Sequence, residues 1–390
     1  MNFTVKRADH YNGRFPSFRK PSEIGFFSLD GERKFHNDNR QMKYISLPRS
    51  LKNVYMDLNA GYENAVRKDF GKKEKIDILL TWILFHQEEV KHIFHVPNSN
   101  KPQIDFVCFR GLLTTIGTTI YENKEDWLIC ATKFRSVIYL CAFDTEDHIH
   151  RRETATERDK RMSAWGYKFE QYLAVDAPNS KPNLSIPVNE KEEYCIVLKG
   201  RLNNHTLLYS AEVDGKDPFY RSPDDDPKST QCYMELKTSR MITSDRQHFN
   251  FCRFKLLKWW LQSFLVGIPK VICGFRDDHG IVRNLEIFPV SEMPKMPENQ
   301  WSPSSILNFT SRFMDYIRTC VKKDDPHVVY KFYWRPGSPI TCEELTSREY
   351  QVLPDLELDS VVMDKSTNST DTAQVAIFIC GIDRDFTIVE

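Results

Sequence analysis

Two short segments near the middle of the chain alternate polar and apolar residues with the period of a β-strand. These segments are residues 207–214 and residues 233–238. Side chains of a strand point to alternate faces, so Glu212 and Asp214 share one face of the first segment. Glu235 and Lys237 share one face of the second segment for the same reason. If the two strands pair, three carboxylates and one lysine are expected to meet on a single patch.

The rest of the chain mixes strand-like and helix-like patterns. Apolar runs of strand length lie at residues 104–109, 127–134, 137–143, 194–198, 270–275 and 328–334. Apolar residues at helical spacing predict helices over residues 75–87, 152–173, 248–266 and 304–322. Residues 1–50 are expected to hold irregular structure and short strands. Strands interspersed with helices in this way predict an α/β (α+β) fold with mixed β-sheets.

Composition favours a folded protein and excludes several classes. Of the 390 residues, 41% are hydrophobic and 13% aromatic, which is enough for a large core. Lys+Arg and Asp+Glu are both 54, so nucleic-acid binding would need a local basic cleft rather than a basic surface. Ten cysteines without a C-x-x-C pair are typical of reduced thiols. With no membrane-length apolar run and no apolar leader, we expect a nuclear or cytoplasmic protein that is neither secreted nor membrane-bound.

The shared polar face of the two central segments has two interpretations. Carboxylates crowded in a cleft repel one another, and a divalent cation relieves that repulsion. A neighbouring lysine would then hold a phosphate or an attacking water, which is the chemistry of metal-dependent phosphodiester cleavage. The alternative is two half-exposed strands with solvated outer faces, because such spacing arises by chance in a chain that is 28% charged.

Three further positions carry candidate chemistry, each with a structural alternative. Glu170 follows Gly166 by one helical turn, and the glycine either leaves room near the carboxylate or permits close helix packing. Gln262 either lies on a helix surface or braces Lys237 or a phosphate. Arg110 follows a strand, where a guanidinium suits phosphate, although a salt bridge is the more common role.

These motifs stand in the order used by a known family. They occur at residues 23–30, 109–111, 166–170, 211–214, 235–237, 255–264 and 274–276. In this order they resemble the eukaryotic DXO family of decapping exoribonucleases and RNA 5′-end pyrophosphohydrolases, and the chain looks closer to the animal branch than to the fungal one. The resemblance covers roughly residues 15–355. It implies one PD-(D/E)XK nuclease-like domain over residues 1–356, with helices around a cleft, followed by a partly linker-like tail over residues 357–390.

The resemblance also implies roles for individual residues. The implied metal ligands are Glu170, Glu212, Asp214, Glu235 and the carbonyl of Leu236, with Glu212 serving a second ion or its waters. The implied catalytic residues are Lys237, Glu212 and Gln262. The implied substrate-binding residues are these three together with Arg33, Glu74, Phe109, Arg110, Gly111 and Cys195. Some relatives have tryptophan in place of Phe109 and glycine in place of Ala211.

The activity that follows from the resemblance is removal of incomplete caps, NAD caps or pyrophosphate from RNA 5′ ends, with 5′→3′ degradation. Mg²⁺ or Mn²⁺ is the expected cofactor, as two ions, and the substrates are single-stranded RNAs with triphosphate, incompletely capped, NAD-capped or monophosphate ends. An exoribonuclease partner, which fungal relatives have, stays open for this chain. Two rival functions also stay open: a nuclease of the same fold acting on DNA ends, and a non-catalytic RNA-end-binding scaffold.

Overall fold

The computed structural model describes residues 2–69, 74–94, 103–222, 226, 228–296 and 300–345. In these residues the strands are β1 (Asn2–Phe3), β2 (Phe18–Leu29), β3 (Phe35–His36), β4 (Tyr44–Ile45), β5 (Lys52–Asp57), β6 (Phe106–Phe109), β7 (Trp127–Phe134), β8 (Val137–Phe143), β9 (Ala174–Val175), β10 (Glu193–Leu202), β11 (His205–Glu212), β12 (Gly215–Lys216), β13 (Tyr233–Arg240), β14 (Lys270–Arg276), β15 (Ile281–Pro289), β16 (Asp325–Trp334) and β17 (Ile340–Leu345). The α-helices are α1 (Asp77–Phe85), α2 (Gln87–Phe94), α3 (Arg110–Thr118), α4 (Glu146–Glu153), α5 (Glu157–Leu173), α6 (Asp245–Asn250), α7 (Leu257–Val266) and α8 (Pro303–Cys320). None of the described helices is long and apolar enough to span a bilayer.

The strands form two mixed sheets. The larger sheet has the order β1-β17-β16-β7-β8-β6-β11-β10-β2-β3, and the smaller has the order β5-β15-β14-β13-β12-β4-β9. In the larger sheet β6 runs parallel to both β8 and β11, whereas β10 pairs antiparallel with β11 and β2. In the smaller sheet β13 and β14 are parallel and β14 and β15 antiparallel. The α/β prediction with mixed sheets is therefore confirmed.

Three apolar clusters hold the sheets and helices together. The central cluster joins one face of each sheet to α3, α7 and α8, with fully buried side chains such as Tyr209 and Phe309. The other face of the large sheet packs against α1, where Trp82 lies against Gly25. The other face of the small sheet packs against α5, where Phe169 lies against Gly274. Burial of apolar area on this scale is the main stabilising contribution to such a fold.

The two central segments, whose pairing the sequence left as a condition, do not pair with each other. The first segment forms β11 in the large sheet, and the second forms β13 in the small sheet. Only residues 215–216, which follow the first segment as β12, pair with β13. Period-two alternation fixes which face a side chain occupies, but it does not identify the neighbouring strand, so this partnership could not be read from the sequence.

Helix and strand boundaries required several other corrections. The helix predicted over residues 152–173 is two helices, because Thr156 caps α5 through a reciprocal bond with Asp159. The predicted helix over residues 248–266 contains a π-helical stretch, Phe251–Leu256, between α6 and α7. Residues 1–50 include the twelve-residue strand β2, although only short strands were expected. The tail over residues 357–390, predicted to be partly linker-like, lies outside the described residues.

Gly166 in the middle of α5 is not required by packing. A Cβ atom built at this position has no heavy atom within 4 Å, so the close-packing alternative is wrong. Gly166→Ala is expected to raise the unfolding free energy by about 1 kcal/mol, because alanine loses less backbone entropy in a helix. Urea unfolding measures the change. Gly117→Ala in α3 is the control and is expected to destabilise, since its Cβ would lie 2.6 Å from Leu261. A lower unfolding free energy in the Gly166→Ala variant would contradict the finding that a Cβ atom at this position has free space around it.

Candidate functional site

The candidate site lies where the chain leaves the large sheet and enters the small one. Glu212 is the last residue of β11, and Asp214 stands between β11 and β12. Gly215 then pairs with Met234 at the start of β13, next to Glu235. This crossing brings the carboxylates of the two central segments into one region, although the segments belong to different sheets.

Asp214, Glu235 and Lys237 form the centre of the site. The backbone N–H of Leu236 donates to Asp214 Oδ2 at 2.5 Å, and Lys237 Nζ lies 2.5 Å from Glu235 Oε1. Glu235 is only 3% exposed. Burial opposes its ionised form, but the positive charges of Lys237 and Arg110 outweigh that effect and lower the pKa of Glu235. Glu235 is therefore held as a carboxylate.

The surroundings of the other carboxylates of the site disfavour their ionised forms. Burial raises the pKa of Asp214 well above its usual value, and the charges of Glu235 and Glu170 add to this. Burial and the charge of Glu235 raise the pKa of Glu170 to about 7, against the opposing effect of Lys237. The pKa of Glu212 is raised well above its usual value, first by desolvation from the surrounding protein and then by repulsion from Glu193. Its side chain nevertheless reaches solvent in a cavity. In their ionised forms these carboxylates carry more negative charge than the neighbouring cations of the protein compensate.

The donor set suits a hard divalent cation, but the side chains are turned toward protein partners. Oxygen donors from several carboxylates are what Mg²⁺, Mn²⁺ and Ca²⁺ prefer. Among the described residues, no three His, Cys, Asp or Glu side chains converge closely enough to ligate a metal ion as they stand. Asp214 accepts from the backbone of Leu236 and Glu235 accepts from Lys237. Whether the Leu236 carbonyl serves as a ligand stays a prediction.

The Phe109 cavity opens on one side of these carboxylates. It has a volume of about 450 Å³. Its lining includes six of the residues predicted to bind substrate: Arg33, Glu74, Phe109, Arg110, Gly111 and Cys195. Cys195 is the cross-strand partner of Glu212, and burial raises the pKa of its thiol well above the usual value, so this thiol is not a nucleophile. The structure thus brings this predicted set together beside Glu212.

A network of alternating charges holds the wall of the Phe109 cavity. Arg33 contacts Glu74 and Glu193, with Nη1 lying 2.8 Å from Glu193. Lys68 contacts the same two carboxylates at 3.0 and 2.9 Å. Arg33 has a φ of 65°, a conformation that few residues other than glycine adopt. The four side chains fix one another, which preorganises this wall for a polar ligand.

Arg110 is placed to contact an anion. It begins α3 directly after β6, so its position coincides with the positive end of the helix dipole. Its Nε atom is buried and has no hydrogen-bond partner. After Lys237, the charge of Arg110 contributes to the lowered pKa of Glu235, so the guanidinium lies near enough to act on the centre of the site. A half-buried guanidinium with an unused donor favours phosphate over the salt bridge that the sequence left open.

The Tyr167 cavity, of about 550 Å³, opens on another side of the same carboxylates. Its lining includes Glu170, Glu212 and Asp214. Glu193 and Glu212 line both this cavity and the Phe109 cavity. Tyr167 has its pKa raised by burial and then by the negative charges of Glu212 and Glu170. The carboxylates therefore stand between two openings rather than at the end of one.

Gln262 lines a third cavity. It lies on α7 and lines a cavity of about 280 Å³ that also contains Gly111, Lys258 and the threonines of α3. No hydrogen bond joins Gln262 to Lys237, so the bracing contact considered from the sequence is absent from the described residues. Because Gly111 lines both this cavity and the Phe109 cavity, Gln262 is adjacent to the site without touching its centre. Its contact with a scissile phosphate stays a prediction.

Sequence reasoning missed Glu193, Lys68 and Tyr167. Glu193 immediately precedes the predicted strand at residues 194–198 and alternates onto the same face as Cys195, so extending that strand by one residue would have found it. Tyr167 lies beside Gly166 in a motif already selected. Lys68 reaches the site from a loop, and no local pattern in the sequence indicates this.

The fold and the acidic cleft between sheets define the class of PD-(D/E)XK nucleases, and the comparison with known families agrees. Residues 19–356 match the family described as RAI1-like PD-(D/E)XK nuclease. The chain belongs to this family.

Two relatives from the animal branch illustrate the similarity. The decapping and exoribonuclease protein of Xenopus laevis is 39% identical over 362 residues, covering 90% of this chain and 88% of the relative. The protein of the same name from Homo sapiens is 38% identical over 359 residues, covering 91% and 88%. The fungal decapping nuclease RAI1 of Aspergillus fumigatus is 30% identical over 336 residues, covering 82% and 88%. The expectation of greater similarity to the animal branch is confirmed.

Solved structures show the same fold. Rai1 of Scheffersomyces stipitis in complex with (3′-NADP)⁺ and calcium ion superimposes with a TM-score of 0.75 at 24% identity, covering 90% of this chain and 94% of that one. Rai1 of Candida albicans in complex with pU5-Mn²⁺ also gives 0.75 at 24% identity, covering 89% and 94%.

Proposed function

We propose that this chain is a divalent-metal-dependent hydrolase that removes incomplete caps, NAD caps or pyrophosphate from RNA 5′ ends and degrades RNA 5′→3′. The observation that carries the proposal is the meeting of four carboxylates with Lys237 and the unpartnered Nε of Arg110 at the junction of the two sheets. The names of the relatives support it, since they are decapping nucleases and exoribonucleases.

Glu170, Glu212, Asp214, Glu235 and the Leu236 carbonyl would hold the metal, as two Mg²⁺ or Mn²⁺ ions. Their donor set fits because the carboxylates carry more negative charge than Lys237 compensates. In the structure one oxygen of each of two carboxylates is engaged by protein, Asp214 Oδ2 by the Leu236 N–H and Glu235 Oε1 by Lys237. When bound, divalent ions lower the pKa of a water and stabilise the leaving oxygen in phosphodiester hydrolysis.

The protein's own cations act on the phosphates. Lys237, once separated from Glu235, neutralises charge that develops on the scissile phosphoryl group. Arg110 uses its free Nε to hold a neighbouring phosphate. Phe109 offers a ring in the wall of its cavity, against which a nucleobase can stack. The network of Arg33, Lys68, Glu74 and Glu193 then orients the rest of the 5′ group.

The ligands of the fungal structures support the substrate class. The pU5 bound to Rai1 of Candida albicans is a short 5′-phosphorylated RNA, and the (3′-NADP)⁺ bound to Rai1 of Scheffersomyces stipitis is a nicotinamide dinucleotide. Both have a phosphate joined to a nucleoside. We propose that monophosphate and NAD-capped ends enter the Phe109 cavity of this chain, and that triphosphate and incompletely capped ends enter the same space.

The experiment is a panel of 20-nucleotide RNAs with monophosphate, triphosphate, unmethylated-cap and NAD-cap 5′ ends, incubated with purified protein and Mn²⁺. Release of a 5′ product from at least one RNA, abolished by EDTA, is the expected result. If all four RNAs remain intact while RNA still binds without metal, the scaffold function holds instead. Preferential cleavage of a matched DNA strand would identify the DNA-end nuclease, since only RNA offers the 2′-hydroxyl.

Compartment and partners are part of the proposal. The nine described cysteines are all free thiols, which supports action in the nucleus or cytoplasm. An exoribonuclease partner is not needed for the chemistry described, because the site itself carries both the acidic residues and the cations.

A further inference from the structure

A second basic feature lies at the far end of the large sheet. Arg19 of β2 and Arg201 of β10 are directly opposite each other in the antiparallel pairing of these strands. Like charges at opposed positions destabilise a sheet, so two arginines there are an arrangement that packing alone does not favour. Both side chains are exposed, and neither has an ion-pair partner in the described part of the chain. Their charges are available to a ligand.

The surroundings add to the positive character of this end. Lys199, two residues before Arg201, has its pKa lowered by burial and then by the nearby charge of Arg19. Lys199 donates only to a neutral partner, Gln103 Oε1 at 3.3 Å. Arg19, Lys199 and Arg201 therefore place three cations close together on two neighbouring strands.

The two arginines line a cavity rather than a flat surface. The Arg201 cavity has a volume of about 560 Å³ and is lined by Ser17, Arg19, Arg201, Asn203, Asn204, His205, Ser311 and Asp315. His205 is 1% exposed. Its Nε2 lies 3.2 Å from Asp315, whose carboxylate is itself 67% exposed. The two guanidinium groups outnumber the single carboxylate of this lining, that of Asp315, and together with the neighbouring amide and hydroxyl groups they make a site for an oxyanion.

The position of the cavity relative to the candidate active site suggests its ligand. Cys195, which pairs with Glu212, and Arg201 both belong to β10 and are six residues apart. At about 3.3 Å per residue the two ends of that strand are roughly 20 Å apart. A stacked single strand advances about 3.4 Å per nucleotide, so about six stacked nucleotides cover this distance.

We propose that Arg19 and Arg201 bind a phosphodiester group in the body of the RNA, more than five nucleotides from the 5′ end being processed. The inference rests on the proposed function, and it adds a specificity for RNA length that the metal-binding region cannot supply. Short RNAs reach only the carboxylates and the adjoining cavities. Longer RNAs gain a second, electrostatic anchor.

The test compares 5′-monophosphorylated RNAs of 5 and 20 nucleotides with the wild type and the Arg19→Ala/Arg201→Ala variant in Mn²⁺. For the 20-mer, KM is expected to rise about tenfold with kcat unchanged, because charge-assisted contacts to one phosphate are lost. The slope of log affinity against log salt is expected to flatten by about 0.7 for each lost phosphate contact. For the 5-mer, both constants should match the wild type. Thermal melting should show equal or greater stability, since opposed like charges are removed.

Arg246→Ala/Arg335→Ala removes the same charge from exposed positions on other elements and serves as the matched control. The proposal is overturned if the 20-mer KM is unchanged, if the 5-mer is weakened equally, or if the control variant has the same effect. Arg201→Lys, which keeps the charge but loses the planar fork, should fall between wild type and the double variant. If wild type fails to cleave either RNA, it is the proposed function that fails, and this outcome is distinct from loss of length dependence.

Discussion

Asp214→Asn is expected to reduce metal-dependent cleavage of every RNA 5′ end in the panel by at least ~10²–10³-fold, the range typical of losing one preorganised electrostatic group. Asp214 stands at the junction of the sheets, where the charges of Glu170, Glu235 and Lys237 all act on it. Asparagine keeps the shape of the side chain but removes the charge that would attract a cation. Single-turnover cleavage of 5′-monophosphorylated RNA in Mn²⁺ measures the loss, and Glu343→Gln, an exposed carboxylate on β17, is the control.

The same substitution is expected to stabilise the metal-free protein. Burial raises the pKa of Asp214, so the folded state binds a proton more tightly than the unfolded state and loses stability as pH rises above the ordinary Asp value. Asparagine has no carboxyl group to ionise, so the variant does not lose this stability as pH rises. The thermal midpoint of Asp214→Asn should therefore exceed that of wild type by more at pH 8 than at pH 5, with EDTA present. Mn²⁺ should raise the midpoint of wild type and have a smaller effect on the variant. Equal thermal midpoints for the variant and the wild type at both pH values would contradict a raised pKa of Asp214.

Lys237→Met is expected to be both inactive and unstable. Its partner Glu235 is buried, and loss of the ammonium group leaves an uncompensated carboxylate, which costs about 3–5 kcal/mol of unfolding free energy in comparable buried pairs. Urea unfolding at pH 8 in EDTA measures this loss. Cleavage should also fall by roughly 10²–10³-fold, because charge on the phosphoryl oxygens is no longer neutralised.

Two companion variants separate loss of the pair from loss of the lysine side chain. Lys237→Met/Glu235→Gln should recover most of the lost stability, because the buried carboxylate that Lys237 contacts directly is removed with it, but it should remain inactive. Lys295→Met breaks the exposed ion pair with Glu292 and should change the unfolding free energy by no more than about 1 kcal/mol. If Lys237→Met unfolds like wild type, Glu235 does not depend on the lysine in the way the contacts indicate.

The elements near the site were predicted from the sequence to different degrees. The strands at residues 127–134 and 137–143 have the predicted bounds, because continuous apolar runs between polar turns leave little choice. The break between α4 and α5 was not predicted, since a capping box at Thr156 interrupts an otherwise helical run. The extent of β2 was underestimated, because its residues are mostly half-exposed and show weak alternation.

The residues of the candidate site were likewise predicted from the sequence to different degrees. Arg33, Glu74 and Cys195 were placed beside Glu212 only through the family resemblance, and the structure does bring them into one cavity. Gln262 lies in an adjacent cavity, and its contact with a phosphate, implied by the same resemblance, stays a prediction. Lys68 could not be predicted, because a loop residue reaches the site through long-range packing alone.

By itself, the sequence selected the residues that are predicted to carry the chemistry. Period-two alternation placed Glu212 away from the core that holds Ala211 and Val213, and the ordered motifs identified the family. Only the tertiary structure decided how the acidic residues meet. They converge through the passage of the chain from one sheet to the other between Glu212 and Gly215, not by pairing of their two strands. Local alternation depends on backbone geometry within a few residues, whereas strand partnership depends on burial summed over the whole fold.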